Sequence, residues 1–146
     1  MGGLESVPVR FDAGGAVGPT GNTRAVLSEL AALASRLASS GESGAIDVRA
    51  LPLSPADRDW LRETLGRGEV RAEIDAAGSS SIEETAFPGL WWVTHRNANG
   101  QPVAELIEVA TVPAIIAAEP SEAAASAARL AAIAAEGAES ARASRA

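Results

Sequence analysis

One histidine, two adjacent glutamates, a Gly-Arg-Gly step and two adjacent tryptophans carry most of the chemistry this 146-residue chain can offer. His95 stands without a second imidazole or any cysteine, so the chain lacks the nitrogen and sulfur donors of an ordinary transition-metal site. Beside a carboxylate such as Glu84 it could act as a general base; the plainer alternative is a surface histidine at a strand end. Glu83 and Glu84 are neighbours, and on a strand neighbours point to opposite faces, which is poor geometry for a shared acid–base site. If the face holding Ile82, Glu84 and Ala86 meets the helices, Glu84 is a partly buried carboxylate that needs Arg96 or a backbone amide as partner. The preferred assignment is the opposite one, with Glu84 solvated and Phe87 buried. Gly66-Arg67-Gly68 lacks the further glycine or Lys-Ser/Thr of a phosphate loop, and a helix stop followed by a strand entry accounts for both glycines. Trp91 and Trp92 must also face opposite ways. One belongs in the core; the other is either an exposed partner anchor or is covered by a chain terminus.

The elements that would position these residues follow from local patterns. Residues 1–22 are glycine-rich and are expected to form a flexible arm. Val26, Leu27, Leu30, Leu33, Ala34 and Leu37 recur at helical spacing, with Asn22 or Thr23 as cap and Gly41 as stop. Residues 46–51 alternate and are at best a short strand or extended lead-in. Ser54, Pro55 and Asp57 form the signature of a helix start, and this helix should bury Trp60, Leu61 and Leu65 before stopping at Gly66. Residues 69–75 alternate as a strand with one solvated face. A Gly-Ser loop over 78–81 should lead into a strand at 82–87, which Pro88-Gly89 interrupts. Residues 90–96 are strand-favouring, Asn97-Ala98-Asn99-Gly100 signals a hairpin, and 103–109 return. Helices followed by a run of strands predict an α+β domain over 23–117, with about four antiparallel strands packed against two N-terminal helices. Residues 118–146 are alanine-rich, with Leu130 and Ile133 as the chief large apolar residues, and read as a tail or frayed helix.

Composition narrows the classes of function. Nineteen acidic against twelve basic residues give a net charge of −7, and the bases are all arginine, scattered among carboxylates. Such a surface repels phosphate backbones and anionic membranes, so neither nucleic acid nor membrane is an expected partner. Without cysteine there is no disulfide, thiolate nucleophile or cluster ligand, and no cofactor is expected. The start of the chain lacks a basic segment followed by an apolar run, and no apolar stretch approaches the ~20 residues of a spanning helix, which makes the cytoplasm the expected location.

Four blocks in order carry a resemblance. They are Leu51-Pro52-Leu53-Ser54-Pro55, Leu65-Gly66-Arg67-Gly68-Glu69-Val70, Ile82-Glu83-Glu84-Thr85-Ala86-Phe87-Pro88-Gly89-Leu90-Trp91-Trp92-Val93, and Ile107-Glu108-Val109-Ala110. Together they resemble the C-terminal module of the HupH/HyaF family of NiFe-hydrogenase expression proteins, over about residues 45–117. Members of that family resemble two such modules in tandem; here each block occurs once. The resemblance implies a non-enzymatic maturation factor, a chaperone or scaffold for a hydrogenase subunit precursor. The favoured client is the iron–sulfur small subunit, and other maturation factors are further possible partners. The expected contact residues are Glu84, Thr85, Pro88, Gly89, Trp91, Trp92 and His95. A small enzyme built on Glu84 and His95, or a structural domain that oligomerises through its sheet edge, are the alternatives.

Overall fold

The computed structural model describes residues 21–146. The expected arm of residues 1–22 lies outside them except for Gly21 and Asn22, which already belong to the first helix. The chain divides into two units, one running to Thr111 and the other spanning Val112–Ala146.

In the first unit, helix α1 (Gly21–Ser40) buries Thr23, Val26 and Leu30. Leu27, Leu33, Ala34 and Leu37 pack partly buried against the same core, the stripe that helical spacing anticipates. Strand β1 (Gly44–Asp47) is shorter and earlier than the alternating run suggests. The reason lies in Asp47, whose carboxylate accepts the Arg49 and Ala50 amides at 2.9 and 3.3 Å and turns the chain out of the strand. Helix α2 (Pro55–Leu65) starts as expected: the Asp57 amide donates to Ser54 Oγ at 3.1 Å and the Ser54 amide donates to the Asp57 carboxylate at 2.9 Å. Leu61 and Leu65 are buried, whereas Trp60 only leans on the core.

Strands β2 (Arg71–Asp75), β3 (Ser79–Glu84), β4 (Leu90–Arg96) and β5 (Pro102–Val109) form an antiparallel meander. Strand β1 joins it beside β5, giving five strands in the order β1-β5-β4-β3-β2. The fold class is therefore α+β as expected, with one strand more than the four anticipated. Two boundaries of β3 depart from expectation. It begins within the supposed Gly-Ser loop because Ser79, Ser80 and Ser81 pair with Asp75, Ile74 and Glu73 of β2. It ends at Glu84, not Phe87, because the Thr85 hydroxyl accepts the Phe87 amide at 3.1 Å and closes a turn there.

Alternation along β4 sends Leu90 and Trp92 toward the helices and Trp91 and Val93 to the other face. On the helix face Trp92 joins Val26, Leu30, Ile46, Leu61, Ile107 and Val109 in the main core. On the opposite face Ile82, Trp91 and Val93 form a second buried cluster, flanked by Ala72, Ile74 and Leu106. Each fully buried side chain of this size contributes about 1.5–3 kcal/mol.

The second unit holds a short 3-10 turn (Ala114–Ile116) and helix α3 (Pro120–Ala143). The alanine-rich segment is thus a continuous helix. Its start is fixed by Pro120 in the first turn and by the Glu122 carboxylate, which accepts the Glu119 amide at 3.1 Å. None of its residues is buried.

Candidate functional site

The turn between β3 and β4 is where three of the four sequence blocks converge. The Ala86 amide donates to Leu65 O at 2.8 Å and the Gly68 amide to Glu84 O at 2.7 Å, tying the end of α2 and its following loop to the turn. Glu84 Oε2 accepts the Glu69 amide at 3.2 Å, so the carboxylate has found the backbone partner that a half-buried acid needs. At Gly68 a Cβ would lie 2.6 Å from Thr85 O and 2.5 Å from Glu84 Oε2; two backbones cross here, which is the reason for the glycine. On the other side the Ala110 amide donates to Gly89 O at 2.9 Å, and Trp91 Nε1 donates to Ala110 O at 2.9 Å. Gly89 itself has φ 89°, a conformation that side chains disfavour.

This bracing holds the tip of the turn outward. Thr85 is buried, its hydroxyl engaged with Phe87, while Phe87 is 50% exposed and Pro88 is also exposed. Phe87 was expected in the core. It leaves because the strand stops three residues before it, and the Thr85-x-Phe87-Pro88-Gly89 sequence is the turn signal that locates this stop. With Pro88 it walls one side of an open apolar groove of about 450 Å³, whose other walls are Leu27, Leu30 and Ala34 of α1 and Leu65 of α2. Neither the groove nor Phe87 was among the expected contact residues.

The tryptophans correct another expectation. Trp91 is 6% exposed and Trp92 is 2% exposed, so neither is a surface anchor. Trp92 is held on two sides: its Nε1 donates to Glu105 Oε1 at 2.8 Å, and the Arg62 guanidinium lies 4.2 Å from its ring centroid. The same Arg62 donates to Glu83 Oε2 at 2.6 Å, and Arg71 pairs with Glu83 Oε1 at 3.3 Å. The hydrogen bond from Arg62 holds the Glu83 carboxyl below its ordinary range. Burial opposes that shift, and the charges of Arg62, Arg71 and Arg67 reinforce it.

His95 is set apart from this region. Its Nδ1 lies 2.8 Å from Ser80 Oγ, and Ser80 faces His95 in the register while Glu84 faces Trp91. Glu84 and His95 are therefore four residue positions apart along the paired strands, about 13 Å at the rise of a strand. They do not form an acid–base pair. Among the described residues no group of three His, Cys, Asp or Glu side chains could hold a metal ion. Among the same residues no helix is long and apolar enough to cross a membrane.

Residues 20–136 match the family model described as the HupH hydrogenase expression protein, C-terminal conserved region. The chain belongs to the HupH hydrogenase expression protein family. A solved structure of hydrogenase expression protein HupH from Thiobacillus denitrificans superposes with a TM-score of 0.73 at 43% identity, covering 80% of this chain and 98% of that one. The hydrogenase expression/formation protein HoxQ of Azotobacter vinelandii is 35% identical over 74 residues, 51% of this chain and 26% of that protein. HupH of Rhizobium leguminosarum is 27% identical over 114 residues, 77% of this chain and 40% of that protein. The chain thus spans about a quarter to two fifths of the length of these two curated relatives. Three of the four sequence blocks quoted above supply, in this fold, the hydrogen bonds that brace the β3–β4 turn; the first block, Leu51–Pro55, instead leads into and caps α2.

Proposed function

We propose that this chain is a non-enzymatic assembly factor in hydrogenase formation. It holds a hydrogenase subunit precursor, the iron–sulfur small subunit by preference, in the cytoplasm and in company with other maturation factors. Membership of the HupH family supports the process. The observation that carries the mode of action is the braced turn: hydrogen bonds from three sequence blocks hold a half-exposed Phe87 beside an apolar groove. An aromatic side chain held out by a rigid turn loses little freedom when a partner covers it, and such residues dominate binding energy. The contact surface is then Phe87, Pro88 and the α1–α2 groove. Glu84, Thr85 and Gly89 shape it, and Trp91 and Trp92 stiffen the strand beneath.

The test is co-purification with separately tagged large- and small-subunit precursors, beside a thermal melt. Phe87→Ala is expected to melt like the parent and to weaken capture of the small-subunit precursor about 30-fold, the effect of losing about 2 kcal/mol at a central anchor. Full capture by a well-folded Phe87→Ala variant would remove the groove as the site. Failure of the parent chain to capture either precursor would remove the client-holding function itself.

A further inference from the structure

Helix α3 carries an apolar seam that the helix itself leaves open. Leu130 is 67% exposed and Ile133 is 63% exposed. Read with a heptad spacing, the seam runs Ala123, Ser126, Leu130, Ile133, Gly137 and Ser140. The two large residues lie in the middle and small ones at both ends, where a second backbone could approach closely. A cleft on the helix surface is lined by Ser126, Arg129, Leu130 and Ile133. One flank of the seam is uncharged, with Ala127, Ala134 and Ala141. The other presents Glu122, Arg129 and Glu136, each seven residues from the next and so beyond the reach of a pair within one helix. Among the described residues neither Arg129 nor Glu136 makes an ion pair.

We propose that α3 is a self-association element that pairs antiparallel with α3 of a second copy of this chain. Charge decides the partner and the direction. In a parallel pair the charged flank of each helix meets the alanine flank of the other, and no ion pair forms. In an antiparallel pair the charged flanks meet each other. Setting Leu130 against Ile133 of the second copy then places Arg129 beside Glu136 of the second copy. The two-fold axis repeats the contact, so one register satisfies both large side chains and both charges of each helix. Gly137 faces Ser126 of the second copy in the adjacent layer, and Gly137 has open space where a Cβ would sit. With only four large side chains in the seam, the dimer should be weak and concentration-dependent.

The experiment uses the full chain, followed by sedimentation equilibrium from low micromolar to near-millimolar concentration at low salt. The expected result is a monomer–dimer equilibrium. Arg129→Glu alone and Glu136→Arg alone should each weaken dimerisation at least tenfold through like-charge contacts, and the two changes together in one chain should restore it. Because the chain has no cysteine, single cysteines report the direction cleanly. Ser126→Cys mixed with Gly137→Cys should form mixed disulfides across the antiparallel pair, whereas either variant alone should not. A chain that stays monomeric throughout, a dimer indifferent to the charge exchange, or efficient linking of Ser126→Cys to itself would each overturn the proposal.

Discussion

Glu83 illustrates how a single carboxylate ties a helix to a sheet. It sits on β3 and bonds Arg62 of α2, whose guanidinium also lies over Trp92. Because its folded pKa is depressed below the ordinary value, the unfolded chain binds the proton more readily. The stabilisation is therefore complete above the unfolded carboxyl range near pH 4.5 and is lost as the pH falls through the lower folded value. Glu83→Gln should be less stable than the parent at neutral pH, and the gap should close on acidification below that range. Urea melts from pH 7 to pH 3 measure it. Trp91 and Trp92 make a second test at this scale. Both are buried, so alanine at either position should cost about 3–5 kcal/mol, in contrast to one structural and one surface tryptophan. Trp91→Phe keeps a ring in the second cluster but leaves Ala110 O without its indole donor, and should cost about 1–3 kcal/mol. Denaturant melts of the three variants decide between these expectations.

At the scale of elements, what was legible in the sequence was what local chemistry determines. Helix α2 has its cap, its proline and its stop between Ser54 and Gly66, and β4 and β5 are joined by a four-residue hairpin signal ending at Gly100. What was not legible depends on partners distant in sequence. The serines of β3 look like a loop until β2 and β4 flank them and Ser80 and Ser81 bond His95 and Arg96. The second tryptophan reads as either exposed or covered by a chain terminus until Ile82, Ala72, Ile74 and Leu106 assemble around it from three other strands. Pro88-Gly89 marks the interruption between β3 and β4, but carrying the alternation on to Phe87 points that side chain inward, whereas the strand ends at Glu84 and Phe87 is half-exposed. Two glycines test the bracing. Gly68→Ala drives a Cβ against the Thr85 carbonyl and should destabilise by about 1–3 kcal/mol, while loosening the turn. Gly89→Ala has ordinary room, with Leu37 Cδ2 at 3.5 Å, and should cost only the backbone term of about 1–2 kcal/mol. Thermal melts rank the pair, and amide protection at Ala86 and Gly68 reports whether the turn has come loose.

For the whole molecule, the two units should be separable in their contributions. All of α3 is exposed, so a chain ending at Ala118 is expected to keep the melting temperature and cooperativity of the full chain. A drop of more than a few degrees would show that the helix supports the sheet. The order of the strands has a consequence for how the chain comes to its native state. The β2–β5 meander is built from hairpins whose partners are close in sequence, whereas Gly44 of β1 pairs with Val109. Closing that contact requires a long loop, so the meander should condense first and the α1–β1–α2 segment should dock last. During synthesis the apolar faces of α1 and α2 must then wait, uncovered, until β5 has left the ribosome. Pulse-labelled amide exchange during refolding is expected to protect β3 and β4 before Ile46 and Asp47. The nascent chain should be most open to proteolysis, and to capture by general holdases, just before residue 109 emerges.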